Sequence, residues 1–489
     1  MDRSAQPTPI ARPNPPGDAV GTTATNLPES GLIDPSVWKI CAVAVLGALL
    51  VQLDATIVNV SLSNLATDLN ASLSTIQWVT SGYLLALTLI LPLNGWLVGR
   101  MGAKALYLWC FSAFTLSSAL CGLAWSANSL ITFRIMQGIS GGLLAPMAQM
   151  MIARAAGKHM ARVAGYLALP VLLAPVFGPI IAGAILQYAS WRWLFLVNLP
   201  VGAIALLLAA LFLPGDRHET KRQTLDWLGL ALLSPGLVMF LYGSAQIGQI
   251  ASRVIFFAGI AMIAAFLWTS WRKGDDALID LRLFKSKVFS TVAGTQFLSN
   301  GGMYAGQMLI PVFLIQACGR APAEMGWMLA PLGIGMMITN PLMGMLTDRF
   351  GIRRVSAGGA LLTLVATMPL LYLATHGFSL FVLIPALLLR GMGMAEVGLP
   401  SLSAAYASVS QQKLAMAATS INIVQRLGGP TMTTLCASFL TWRLGLPAAD
   451  HMVSNAYAWA LLLLCGIHAL TFLSAMRLPR RQEDIAVHG

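Results

Sequence analysis

Five ionisable side chains lie inside long apolar stretches of this chain: Asp54, Arg134, Arg390, Glu396 and Arg426. A charge at the centre of a bilayer costs at least ~2.5–3.5 kcal/mol on insertion scales, so each is a candidate for function rather than packing. Asp54 and Arg134 form the more informative pair. At a rise of ~1.5 Å per residue, a first helix running outward and a fourth running inward carry both residues to similar depth in the outer half of the membrane. A carboxylate whose cationic partner changes with conformation can take up a proton on one side and release it on the other. A static ion pair is the plainer alternative. Arg390 falls near the midplane, Glu396 toward the inside and Arg426 near mid-depth. Glu396 and Arg426 are open to two readings, a fixed pair or a second proton site.

A second constellation is polar and uncharged. Gln296, Asn300, Tyr304 and Gln307 recur at spacings of four, four and three, which places them on one face of a helix. Four polar groups exceed what one packing seam needs, so this face, with Arg390, is expected to line a substrate cavity. No HExxH is present, the six cysteines show no CxxC spacing, and no metal site is expected. Gly138-Ile139-Ser140-Gly141-Gly142 matches G-x-S-x-G, but in mid-helix and without a strand-to-helix turn, so a Gly-rich packing face explains it better than catalysis. The chain has no GxxxxGK[ST] loop, and no cofactor is expected beyond a proton gradient.

The elements that position these residues are helices of membrane-spanning length. The chain of 489 residues is 57% hydrophobic and 10% charged, which excludes an ordinary soluble domain. Fourteen apolar runs, from 38–60 to 456–476, are long enough to cross ~30 Å of hydrocarbon. Of the 30 Lys and Arg residues, 23 fall in segments on one side of such a fold, four (Arg192, Arg253, Arg320, Arg443) on the other, and three within helices. By the positive-inside rule both termini are then cytoplasmic. The basic excess belongs to membrane topology, and nucleic acid is not an expected partner. The Pro-rich residues 1–36 have no apolar core and read as a disordered tail, not a signal peptide.

One loop is written nearly twice, 249 residues apart: Gly95-Trp96-Leu97-Val98-Gly99-Arg100-Met101-Gly102 and Gly344-Met345-Leu346-Thr347-Asp348-Arg349-Phe350-Gly351. Each follows the second helix of a set, so the repeat divides the chain into two homologous bundles. The expected organisation is a tail at 1–36, a six-helix bundle at 37–213, and a linker with two extra helices at 214–287. A second six-helix bundle at 288–476 and a tail at 477–489 follow. The extra hairpin carries no deep charge, so it is expected to be dispensable for coupling, unlike the two repeated loops.

Taken together, these residues resemble the major facilitator superfamily, and within it the 14-helix drug:proton antiporters of the EmrB/QacA group. Gln52-Leu53-Asp54-Ala55-Thr56-Ile57-Val58-Asn59 is similar to that group's helix-1 signature. The repeated loops resemble its motif A, Arg134-x2-Gln137-Gly138 its motif B, and Gly178-Pro179 its motif C. Trp191-Arg192-Trp193-x-Phe195-x2-Asn198-x-Pro200-x-Gly202 resembles its helix 5–6 signature. The resemblance implies an all-α membrane fold of two six-helix bundles plus two inserted helices. It implies a secondary active transporter, not an enzyme, that exports small amphipathic compounds by proton-coupled alternating access in the bacterial inner membrane. Uptake by proton symport on the same fold is the alternative, and a periplasmic adaptor is left open. The resemblance implies Asp54 as a protonation site with Arg134 as its partner, and Glu396 joins them as a proton-coupling candidate on its depth alone. The implied switch residues are Gly95, Arg100, Gly102, Gly178, Pro179, Gly344, Asp348, Arg349 and Gly351. The chain departs from the pattern at Gly99, where motif A has an acid, and at Ala174 and Ala182, where motif C has glycine.

The basic asymmetry generates a topology test. Cysteines placed at Ser126 and Ser379 label from outside intact cells, whereas those at Lys158 and Lys413 label only after permeabilisation. Reversed labelling at either pair contradicts the fourteen-helix topology.

Overall fold

The structure is a computed structural model that describes residues 34–215, 224–246, 248–274, 277–321, 324–445 and 452–481. The expected tail at 1–36 lies almost wholly outside the described residues, as do most of the tail at 477–489 and the basic run Arg217, Lys221 and Arg222. Nineteen α-helices and no strand occur among the described residues. The first set is α1 (Pro35–Val60), α2 (Leu62–Asp68), α3 (Leu73–Ile90), α4 (Asn94–Met101), α5 (Ala103–Gly122), α6 (Ala127–Gly141), α7 (Leu144–Ala156), α8 (Met160–Tyr188), α9 (Trp193–Leu196) and α10 (Asn198–Phe212). A hairpin of α11 (Trp227–Ala245) and α12 (Ile250–Lys273) follows. The second set is α13 (Lys287–Gln316), α14 (Met325–Thr339), α15 (Met343–Phe350), α16 (Ile352–His376), α17 (Leu380–Ala407), α18 (Leu414–Leu444) and α19 (Met452–Ala475).

Several spans are made of two helices joined at a break, which is why fourteen apolar runs become nineteen helices. The second span of each set is broken by a proline: α3 and α4 flank a short turn holding Pro92, and α14 and α15 flank one holding Pro341. Proline removes a backbone donor and crowds the preceding turn, so both ladders fail at the same place. The fourth span breaks between α6 and α7 at Gly142. Among the described residues, eleven spans are long and apolar enough to cross a membrane. Helices α13 and α18, at 30 and 31 residues, are long enough but carry polar residues along their inward faces.

The two sets pack alike. In the first, α1 lies against α8, α7 and α10, α3 against α6, and α5 against α6 and α10. In the second, α13 lies against α18, α17 and α19, α14 against α17, and α16 against α17 and α19. Each pairing in one half has its counterpart in the other, as a duplicated bundle requires. Close approach depends on small residues. A Cβ at Gly138 would stand 2.6 Å from the Tyr83 carbonyl oxygen, and one at Gly142 would strike the Leu87 carbonyl. The Gly-rich run is therefore a packing face between α3 and α6.

The hairpin packs into the seam between the two halves. Leu233, Leu237 and Phe266 of the hairpin, with Leu278 and Ile279 just after it, bury against Leu91 of the first half and Ile423 of the second. They fill the seam between α3 and α18. Charge is a poor guide here, because an apolar side chain packed on protein looks the same in sequence as one facing lipid. Asp226 closes the base of the hairpin by accepting from Lys273 Nζ at 2.5 Å, Gly229 N at 2.9 Å and Leu278 N at 3.2 Å. Burial works against the Asp226 carboxylate, yet Lys273 and the two backbone donors hold it below the usual carboxylate range.

The repeated loops end on Gly102 (φ 85°, ψ 161°) and Gly351 (φ 84°, ψ 159°), a conformation essentially closed to residues with a Cβ. Gly102→Ala is expected to cost about 1–3 kcal/mol and lower the melting temperature in detergent. An unchanged melting temperature would show that the loop relaxes without glycine.

Candidate functional site

Asp54, on α1, is fully buried; α6 and α10 bring polar groups to it, and α5 and α3 supply the next partners of those groups. Arg134 of α6, itself fully buried, places Nη1 at 2.5 Å from Asp54 Oδ2. The other carboxylate oxygen, Oδ1, accepts from Asn198 Nδ2 at 2.9 Å and from Gln137 Nε2 at 3.2 Å. Gln137 Oε1 accepts from Arg134 Nη1 at 2.8 Å, and Ser118 Oγ of α5 accepts from both amides at 3.0 Å. Arg134 Nε donates to the Val79 carbonyl at 3.1 Å, and its guanidinium lies 4.1 Å from the centre of the Tyr83 ring. Arg134 Nη2 has no hydrogen-bond partner among the described residues.

The local sequence explains why these groups meet. Arg134 and Gln137 are three apart, hence on one face of α6. Asn198 opens α10 just beyond the turn that packs Trp191 and Phe195 into the core. Gly178 of α8 sits against Thr56, two residues after Asp54, and a Cβ there would strike the Thr56 hydroxyl. Thr56 Oγ1 in turn donates to the Ala174 carbonyl at 3.3 Å. The motif-C helix is thus seated directly on the helix that carries the acid. The Pro179 side chain lies outside the described residues.

Such a buried pair is a two-state element in chemical terms. Neutralising the carboxylate leaves Arg134 uncompensated away from water, and breaking a buried pair costs ~3–5 kcal/mol. Protonation of Asp54 therefore has to be accompanied by rearrangement around Arg134. Depth in an apolar run marks Asp54 and Arg134, whereas Gln137 and Asn198 fall within signature segments that assign them no role, and no spacing points to Ser118.

The second half repeats the frame without the acid. Helix α17, which packs in the second half as α6 does in the first, carries the buried Arg390. This arginine was expected to line a cavity and is instead 1% exposed, with Nη1 at 2.5 Å from Thr367 Oγ1 and 3.0 Å from His468 Nε2, and Nη2 donating to the Gly302 carbonyl at 3.2 Å. Where α1 offers Asp54, α13 offers Gly302 and Gly306, the latter touching the guanidinium.

The Glu396–Arg426 pair does not form. Glu396 packs on Gly359 of α16, whereas Arg426 Nη1 reaches across to Thr88 Oγ1 of the first half at 3.2 Å. The polar face of α13 is divided. Gln296 is buried and bonded on all sides: Nε2 donates to the Gly398 carbonyl and Ser401 Oγ at 2.8 Å, and Oε1 accepts from Gln425 at 2.8 Å. Asn300 is half-buried, and Tyr304 and Gln307 are exposed. Tyr304 lies beside Gly429, one turn from Arg426.

Hydrogen bonds between the halves gather at the end that carries the repeated loops. Asn94 Nδ2 donates to Thr419 Oγ1 at 3.0 Å, and Gln149 Oε1 accepts from Tyr406 at 2.9 Å and Asn422 at 2.8 Å. Gly95 faces Met416 at the start of α18, and Gly344 faces Arg162 at the start of α8, so each repeated glycine lets its loop touch the opposite half. Asp348 Oδ2 accepts from Arg162 Nη2 at 2.7 Å, while Gly99, its counterpart, meets nothing. Arg100 and Arg349 lie over Trp96 and Phe350, both at 5.4 Å.

Residues 44–279 and 292–486 match the family model described as Major Facilitator Superfamily. The chain is 34% identical over 442 residues to "Multidrug resistance protein B homolog" of Mycobacterium tuberculosis, covering 87% of this chain and 82% of that protein. It is 31% identical over 367 residues to "Putative multidrug resistance protein MdtD" of Salmonella typhi, covering 73% of this chain and 77% of that protein. Its fold is similar to that of the proton:xylose symporter XylE, with a TM-score of 0.62 at 15% identity, covering 93% of this chain and 99% of that one. With its two matched bundles and its inserted hairpin, this multi-pass membrane protein belongs to the major facilitator superfamily.

Proposed function

We propose that the protein exports small amphipathic compounds across the bacterial cytoplasmic membrane in exchange for protons, by alternating access, with both termini in the cytoplasm. The observation that carries this reading is the buried Asp54–Arg134 pair, held by Gln137 and Asn198 in a helix bundle whose partner half closes against it at one end. A proton arriving at Asp54 removes the charge that compensates Arg134. The bundle then exchanges one packing for another, and the proton leaves on the opposite side. Two relatives named for multidrug resistance support the direction and the breadth of substrate. Glu396 is a second candidate for proton transfer, since no ion pair holds it among the described residues. Asn300, Tyr304 and Gln307 are the members of the polar α13 face that remain for substrate; Gln296 and Arg390 are already engaged.

The driving force suffices. One elementary charge crossing ~150 mV is worth about 3.4 kcal/mol, which supports a roughly 300-fold concentration ratio. Asp54→Asn keeps the hydrogen-bonding shape but cannot exchange a proton. In vesicles of known orientation, the purified variant is expected to insert and melt like the wild type while its pH-gradient-driven flux falls about a hundredfold. Wild-type flux in the variant contradicts the assignment of Asp54. Wild-type accumulation in the direction of the inward proton flow identifies a symporter instead.

A further inference from the structure

The repeat leaves one position unexplained. At the second loop, Asp348 grips Arg162 in the first turn of α8, and the two halves are tied by an ion pair with side chains 45% and 30% exposed. At the first loop the same position is Gly99, and a Cβ there would meet nothing within 4 Å. A duplicated gate should then be held on one side only. It is not, because another carboxylate occupies that side.

Asp280, in the segment that leaves the inserted hairpin, places Oδ2 at 3.0 Å from Lys413 Nζ, immediately before α18. Its side chain is 3% exposed, far more buried than that of Asp348. Its other oxygen caps its own segment by accepting from Arg282 N at 2.9 Å. The Asp280 backbone N–H points at Met416 Sδ, 3.2 Å away, and Met416 is the residue that Gly95 of the first loop abuts. The carboxylate also lies at the N-terminal end of α18, where the helix dipole favours negative charge. Leu278 and Ile279, just ahead of it, are buried with Leu91 of the first half and Ile423 of α18. The segment is thus anchored to both halves at the edge where the first loop meets α18.

We propose that Asp280 is a positioning residue of the transport cycle: it supplies, from the inserted hairpin, the carboxylate that the first repeated loop lacks, and with Lys413 it forms the second of two clasps that hold the cytoplasmic end closed. The inference rests on the alternating-access reading above and extends it to the hairpin. The two clasps are alike in chemistry, a carboxylate against a basic residue at the start of a bundle's fifth helix, but Asp348 reaches Arg162 directly across the halves, whereas Asp280 reaches Lys413 from a segment held to the first half through the hairpin. They differ also in that one acid belongs to the repeat and the other was recruited from the insertion. For the cytoplasmic end to open, Asp348 must release Arg162, and either Asp280 releases Lys413 or the hairpin leaves α3, so weakening the Asp280–Lys413 pair favours the open state.

The test uses the full-length protein in lipid nanodiscs, with spin labels on Met101→Cys and Gln412→Cys and the half-buried Cys318 replaced by Ser. Pulsed electron paramagnetic resonance then reads the ratio of open to closed distances at the cytoplasmic end, without substrate or gradient. Asp280→Asn and Lys413→Gln are each expected to raise that ratio about fivefold, as is Asp348→Asn, and Asp280→Asn with Asp348→Asn about 25-fold. The charge reversal Asp280→Lys with Lys413→Asp is expected to return the ratio to within about twofold of the wild type. Lys413 is half exposed, so Lys413→Gln provides the test should Asp280→Asn fail to fold. The proposal is overturned if Lys413→Gln leaves the ratio unchanged while Asp348→Asn raises it. It is equally overturned if the charge reversal folds and does not restore it. Because no flux is measured, failure of the clasp is distinguishable from failure of the exporter reading, which shows only in vesicles.

Discussion

A charge buried among helices must be answered by an opposite charge or by donors, and this requirement at Asp54 organises the first half of the molecule. Two helices beyond α1 deliver Arg134, Gln137 and Asn198 to one carboxylate, a third brings Ser118 to their amides, and α8 is pressed onto α1 beside it at Gly178. In such a setting protonation is not a local event. It unmakes an interaction whose loss costs several kcal/mol, and the surrounding helices can recover that energy only by changing their packing. The second half shows the same frame without the acid. Arg390 is answered by Thr367, His468 and a carbonyl, none of them a carboxylate. At the buried arginines the halves differ in chemistry: Asp54 answers Arg134, whereas Gly302 and Gly306 lie against Arg390.

Duplication accounts for the rest of the frame. Proline breaks the second span of each half at Pro92 and Pro341, and a glycine with φ near 85° ends each loop. Gly95 and Gly344 let the loops touch the opposite bundle. The inserted hairpin breaks the symmetry. By filling the seam between α3 and α18 it joins surfaces that must move relative to one another, which is an unusual place for a disposable insertion.

Much of this was legible in the sequence for identifiable reasons. Depth in an apolar run marked Asp54 and Arg134, because lipid penalises charge heavily. The repeat at Gly95 and Gly344 gave the two bundles, because loop geometry depends on glycine at fixed offsets. Contacts between distant segments were not legible. Asn198 and Ser118 are ordinary residues until the fold delivers them to Asp54, and the hairpin's leucines read alike whether they face lipid or protein. Arg390 and Gln296 were misplaced as cavity residues because a helix face shows polarity but not whether neighbouring helices already satisfy it. Arg426 found Thr88 rather than Glu396, since a pairing across the seam between halves leaves no spacing to read.

The central claim is that Asp54 gains and loses a proton as its pairing with Arg134 changes. Infrared difference spectroscopy on the reconstituted protein, recorded while external pH is lowered, tests it most directly. The account predicts a protonated-carboxyl band that appears with acidification, is absent in Asp54→Asn, and persists in Glu396→Gln. A band that survives in Asp54→Asn and vanishes in Glu396→Gln would contradict it.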